Sequence, residues 1–117
     1  MGYSFIPVTI QSGQSVSNSG YTDIGEIAGV AVPGNWTAAK ISWQASVDNG
    51  NEFVFSVVKD NTGAEISYGN GTDTSALYMT FSTLNLPGVV WFKIQSGTST
   101  TPVTQAALRT VYVVVRV

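Results

Sequence analysis

The chain predicts an all-β fold: an antiparallel β-sandwich of about eight strands, with the jelly roll among the arrangements open to it. Three observations carry this expectation. Short runs rich in Val, Ile, Phe, Tyr and Trp recur along the chain, separated by clusters of Gly, Asn, Asp and Pro. No stretch sustains a helical period. The length, 117 residues, suits a single domain spanning 1–117, long enough to bury about two-thirds of its unfolded surface without a covalent staple.

Tyr3–Ile10 mixes aromatic and β-branched residues and opens the series. The polar run that follows reads as a long loop over Ser12–Gly20, since too little chain precedes it to make it a linker. Ile24–Val32 is the second strand and stops at Pro33-Gly34, a turn signal. Lys40–Ser46 alternates cleanly, with Ile41, Trp43 and Ala45 on one face and Ser42, Gln44 and Ser46 on the other, the pattern of a half-buried strand. Asn49-Gly50 suits the positive φ angles of a hairpin turn.

Phe53–Lys59 follows, with Phe53, Phe55 and Val57 expected to point inward. Asp60-Asn61-Thr62-Gly63 turns the chain into Glu65–Tyr68, and a polar stretch precedes Leu77–Phe81. Val89–Gln95 and Leu108–Val117 are the last strands, joined by the loop Ser96–Gln105. Thr37–Lys40 and Pro102–Ala107 leave room for one turn of helix each and no more.

The composition narrows the function. There is neither histidine nor cysteine, which removes the commonest general base, the commonest transition-metal ligand, disulfides and thiolate metal sites together. Serine and threonine abound, but a nucleophile needs an activating base. The expectation is a protein that is not an enzyme and carries no catalytic residue, cofactor or metal. A net charge of −2 gives no basic footprint for nucleic acid. No apolar run approaches a membrane span of about 18 residues, and Met1–Ile10 lacks the character of a signal peptide, so synthesis in a cytoplasm is expected.

Two features tempt a sharper reading. The acidic turns Asp48–Glu52 and Asp60–Gly63 offer oxygen ligands, but neither has the spacing of a calcium loop, and Asp and Asn favour turns by bonding their own backbone. The aromatics Trp36, Trp43 and Trp91, with Tyr21, Tyr68, Tyr78 and Tyr112, could form a platform for sugar rings. Among the tryptophans the roles differ. Trp43 shares a face with Ile41 and reads as core, Trp36 as a cap on one end of the sandwich, and Trp91 as the most exposed of the three. The glycosylation triplets Asn35-Trp36-Thr37 and Asn70-Gly71-Thr72 arise often by chance in so Ser/Thr-rich a chain.

The charged fraction is the most informative number. At 10% it falls well below the roughly 25–35% that usually coats a soluble monomer. A surface so poor in charge suits a protein whose faces are covered by neighbours. The last strand sharpens this: Val111, Val113, Val115 and Val117 supply a core face, while the opposite face reads Tyr112, Val114, Arg116. Tyr112 and Val114, with Trp91 and Trp36, are therefore the candidate interface residues.

The block Pro33–Ser67, with Pro33, Trp36, Thr37, Ala38 and Ala39 ahead of a strand ending at Ser46, then Gly50, Gly63 and Glu65, resembles a group of small tailed-phage virion proteins. Val8–Ser19 and Trp91–Val117 look similar to the same group, so the likeness spans most of the chain. It implies a β-sandwich structural protein of the virion: a head decoration or cement protein, or the base of a head spike or fibre. The expected partners are a second copy of the chain, as a homo-oligomer, and the major capsid protein, with neither nucleic acid nor membrane. The alternative is a carbohydrate-binding module, or a spike or tail-fibre component, that recognises a host surface glycan.

One consequence is testable at once. Because the acidic turns lack calcium-loop spacing, EDTA should move the melting temperature by no more than about two degrees. A fall of about ten degrees, restored by calcium, would overturn that reading.

Overall fold

The computed structural model describes residues 2–81, 86 and 88–117. Two antiparallel sheets face each other. Strands β1 (Tyr3–Ile10), β3 (Glu26–Val32), β7 (Leu77–Thr80) and β9 (Arg109–Arg116) form one in the order β1-β9-β3-β7. Strands β2 (Gly20–Tyr21), β4 (Ile41–Ser46), β5 (Ser56–Val57) and β8 (Trp91–Ser96) form the other in the order β2-β8-β4-β5, and β6 (Ser67–Tyr68) also pairs with β4. If β5 and β6 are taken as the two halves of one interrupted position beside β4, successive strands cross from sheet to sheet at every link except that from β4 to β5. That order is a jelly roll.

Alternation builds the core from both sheets. Ile6, Val8 and Ile10 of β1 turn inward beside Val111, Val113 and Val115 of β9. Ile41 and Trp43 of β4 and Phe92 and Ile94 of β8 face them from the other sheet, all at 1% exposure or less. Phe81 follows β7 and closes the gap: it meets Trp43 edge-on at 5.9 Å and stacks on Tyr68 at 3.9 Å between ring centroids. Trp43 thus touches aromatic rings carried by both sheets. Its indole N–H has no hydrogen-bond partner among the described residues, so its hold on the fold comes from packing.

β3 departs from simple alternation. Its pairing with β9 shifts register between Ile27 and Gly29. This bulge lets Ile27, Val30 and Val32 all face the core although their spacing in the sequence is uneven.

Several sequence expectations change. The strand expected over Phe53–Lys59 keeps only Ser56–Val57 in the ladder. Its parity is reversed: Val57 pairs with Gln44 and so lies on the outer face, as does Phe55, whose ring sits 4.6 Å from the Lys93 ammonium, while Phe53 is exposed. Val58 is the residue that packs on the core. The alternation resets because residues 47–55 wrap around the Asp48 turn before pairing begins at Ser56.

Ile24, expected in a strand, is exposed, and β3 starts at Glu26 after a turn closed by Gly25 N–H to Thr22. The loop over Ser12–Gly20 carries a bridge from Val16 to Gln95 and ends in β2. Val117 lies beyond β9 and is exposed, not core. Neither Thr37–Lys40 nor Pro102–Ala107 forms a helical turn, and no helix occurs among the described residues. Asn49 and Gly50 both have positive φ, 59° and 79°, as the hairpin turn requires.

Removing the ring at the centre should cost the most. Trp43→Ala is expected to lose about 3–5 kcal/mol, and Trp91→Ala clearly less. Denaturant melts that ranked the two in the opposite order would contradict this assignment of faces.

Candidate functional site

The carboxylates of the acidic turns are spent on their own loops. Asp48 accepts from the amides of Glu52 (2.8 Å) and Phe53 (3.2 Å) and from the Ser46 hydroxyl. Asp60 accepts from the Thr62 hydroxyl at 2.6 Å and from the amides of Thr62 and Ala64. In each case these donors favour the charged form. The Glu52 amide foremost for Asp48, and the Thr62 hydroxyl foremost for Asp60, hold the carboxyl below its ordinary value of 3.8. No group of three or more potential metal ligands occurs among the described residues. The chemistry of these turns is that of backbone closure.

What remains open to a partner is the pair of outward sheet faces. On the four-stranded sheet the register aligns Tyr3 with Arg116, Phe5 with Val114 and Pro7 with Tyr112. Tyr112 in turn lies beside Ala31, and Ala31 beside Tyr78. Tyr3, Phe5, Tyr78 and Tyr112 are 61%, 55%, 57% and 46% exposed. A groove of about 320 Å³ runs among Tyr3, Phe5 and Tyr78, with Phe81 and Val114 in its wall. Half-exposed aromatics of this kind present roughly 300–500 Å² together. That matches the largest apolar patch expected on a monomer, which is often functional.

The outward face of the five-stranded sheet is different. Trp91 stacks on Tyr21 at 4.3 Å between centroids, so one face of each ring is already used. Beside them Lys93 covers the Phe55 ring.

The four candidate interface residues do not form one surface. Tyr112 is open on the four-stranded sheet and Trp91 half-buried on the five-stranded sheet, on opposite sides of the sandwich. Val114 is only 4% exposed, because β9 is central in its sheet and Phe5 and Gly29 flank it on either side. Trp36 is 3% exposed; it packs in the core and donates its indole N–H to the Ala39 carbonyl at 3.3 Å. Both are covered by their own chain, which corrects the expectation that a neighbour covers them. Sequence reasoning missed Tyr3 and Phe5, and it named Tyr78 only as a ring that could stack on sugars. The signal was present, since Tyr3, Phe5 and Pro7 alternate with Ile6, Val8 and Ile10, but only strand order places Tyr78 on the same face.

No known family profile matches the chain, and no curated protein or solved structure matches it significantly.

The acidic turns give a pH signature. Both carboxyls have folded pKa values below 3.8, so their contribution is complete above that value and is lost as pH falls through the lowered ones. The denaturation midpoint should stay level from neutral pH to about pH 4.5 and decline below pH 4, modestly because both groups meet solvent. Asp48→Asn with Asp60→Asn should flatten that acid limb. A decline already under way near pH 6 would contradict it.

Proposed function

We propose that this chain is a structural protein of a tailed-phage particle, a capsid decoration or cement protein that works as a homo-oligomer. Its mechanism is passive: it buries sheet surface across joints between capsid subunits and stabilises them by mass action. The observation that carries this reading is the aromatic outer face of the four-stranded sheet, on a chain only 10% charged. That face offers roughly 300–500 Å², less than the roughly 800 Å² each partner contributes to a standard interface. One copy alone therefore binds weakly, and an array of copies binds well. The jelly roll is shared by viral capsid and lectin domains, so the fold is compatible without deciding between them.

The surface pair Trp91–Tyr21 supports the second reading, a module that stacks a host glycan. Against it, stacking on Tyr21 leaves Trp91 less ring surface to offer a sugar.

An antibody against the chain should label the heads of virions from the genome that encodes it, at regular spacing. Tyr78→Ser with Tyr112→Ser should weaken head binding by about 30-fold or more while leaving the β-sheet circular dichroism intact. Unlabelled heads, together with saturable binding to a bacterial polysaccharide that Trp91→Ala abolishes, would replace this reading with the glycan one.

A further inference from the structure

β1 is an edge strand, and its hydrogen bonding can be followed residue by residue. Gly2 and Val117 exchange both backbone bonds. In an antiparallel ladder such pairs alternate, so the even-numbered residues of β1 bond to β9. The odd-numbered residues Tyr3, Phe5, Pro7 and Thr9 direct their backbone groups away from the sheet. Thr9 confirms the parity: its N–H donates to Asn18 Oδ1 at 2.8 Å, and its C=O accepts from the Asn18 amide at 3.1 Å.

The outer half of this edge is thus closed in two ways. Asn18 caps Thr9, and Pro7 has no N–H to offer. The first half is not closed. Tyr3 and Phe5 present two N–H and two C=O groups with no partner among the described residues. Edges are commonly protected by charge, proline or a covering segment, and Tyr3–Phe5 has none of these among the described residues.

We infer that the Tyr3–Phe5 edge of β1 pairs with the same edge of a second copy of this chain about a two-fold axis through Ser4. This rests on the proposal that the protein self-assembles, and it names the surface. In that register Tyr3 faces Phe5 of the second copy and Phe5 faces its Tyr3. The open donors and acceptors match one another, making four backbone hydrogen bonds. Such a contact is isologous, the commonest kind in homodimers. No charge opposes it: β1 carries none, and the nearest charged pair on this face, Arg116 and Glu26, lies 3.7 Å apart and neutralises itself.

The side chains reinforce the match. Tyr3 and Phe5 are exposed on the outer face, and across the new ladder they become directly opposed aromatic pairs. The two four-stranded sheets join into one of eight strands. The aromatic faces of both copies then form a single continuous surface, doubling the area available to a capsid.

Ser4 supplies the test. At the axis the two Ser4 residues form a non-hydrogen-bonded pair with Cα atoms about 4.5 Å apart, within disulfide reach. The chain has no native cysteine, so Ser4→Cys treated with diamide should give a disulfide-linked dimer, at least about ten-fold faster than the exposed control Ser12→Cys. Sedimentation of the unmodified chain should show a monomer–dimer equilibrium. Ser4→Lys, which opposes like charges at the axis, should shift it to monomer with circular dichroism unchanged, and Phe5→Pro should do the same by removing an outward N–H. A chain that stays monomeric at millimolar concentration, or Ser4→Cys cross-linking no faster than the control, would overturn the inference. Labelled virion heads with no Ser4 cross-link would sink the dimer alone; a Ser4 cross-link with unlabelled heads would sink the capsid reading alone.

Discussion

One end of the sandwich is held through a single carboxamide. Gln105, buried to 1% exposure, uses its full hydrogen-bonding capacity. Its Oε1 accepts from the Thr37 amide at 2.9 Å and from Arg109 Nε at 3.1 Å, and its Nε2 donates to the Thr37 carbonyl at 3.0 Å and to Ser96 Oγ at 2.7 Å. Its backbone also bonds Gly13 and Gln14. The loop after β1, the loop after β3, the end of β8 and the start of β9 thus meet at one residue. A jelly roll needs such a tie, because its connections cross between sheets and have no ladder of their own.

With the loops tied, the two sheets are free to specialise. The inward faces are apolar and continuous, and the aromatic trio Trp43, Phe81 and Phe92 sits where both sheets contribute. The outward faces have different characters. On the five-stranded sheet the large rings are already engaged, Trp91 with Tyr21 and Phe55 with Lys93. On the four-stranded sheet Tyr3, Phe5, Tyr78 and Tyr112 stand open. The two outer faces therefore differ in how far their rings are already engaged by their own chain.

The same sheet leaves little of β1's edge open. Pro7 and Asn18 close the end of β1 nearest the tied loops, and the central position of β9 removes the most β-prone segment of the chain from any edge. Along β1, only the short stretch at Tyr3 and Phe5 lacks backbone partners among the described residues. Short open edges limit the indiscriminate stacking that long, flat ones invite.

The sequence by itself determined the all-β class, the alternation of β4 that buries Ile41 and Trp43, the inward valines of β9 and the turns at Asn49-Gly50 and Asp60–Gly63. These are local properties: a period of two, a β-branched run, or a residue that tolerates positive φ. Tertiary structure decided the rest. The bulge in β3, the reversed parity around Phe55 and the pairing of Gly20–Tyr21 with β8 depend on which strands become neighbours. Val114 reads as surface in a one-strand pattern and is buried because β9 has neighbours on both sides; Trp36 reads as a loop residue and is buried because the loop folds over the core. Tyr3, Phe5, Tyr78 and Tyr112 are far apart in the chain, and only the order β1-β9-β3-β7 puts them on one face. Local pattern fixes which side of a strand is apolar, but the long-range pairing that closes the sheet determines whether that side meets core, chain or solvent.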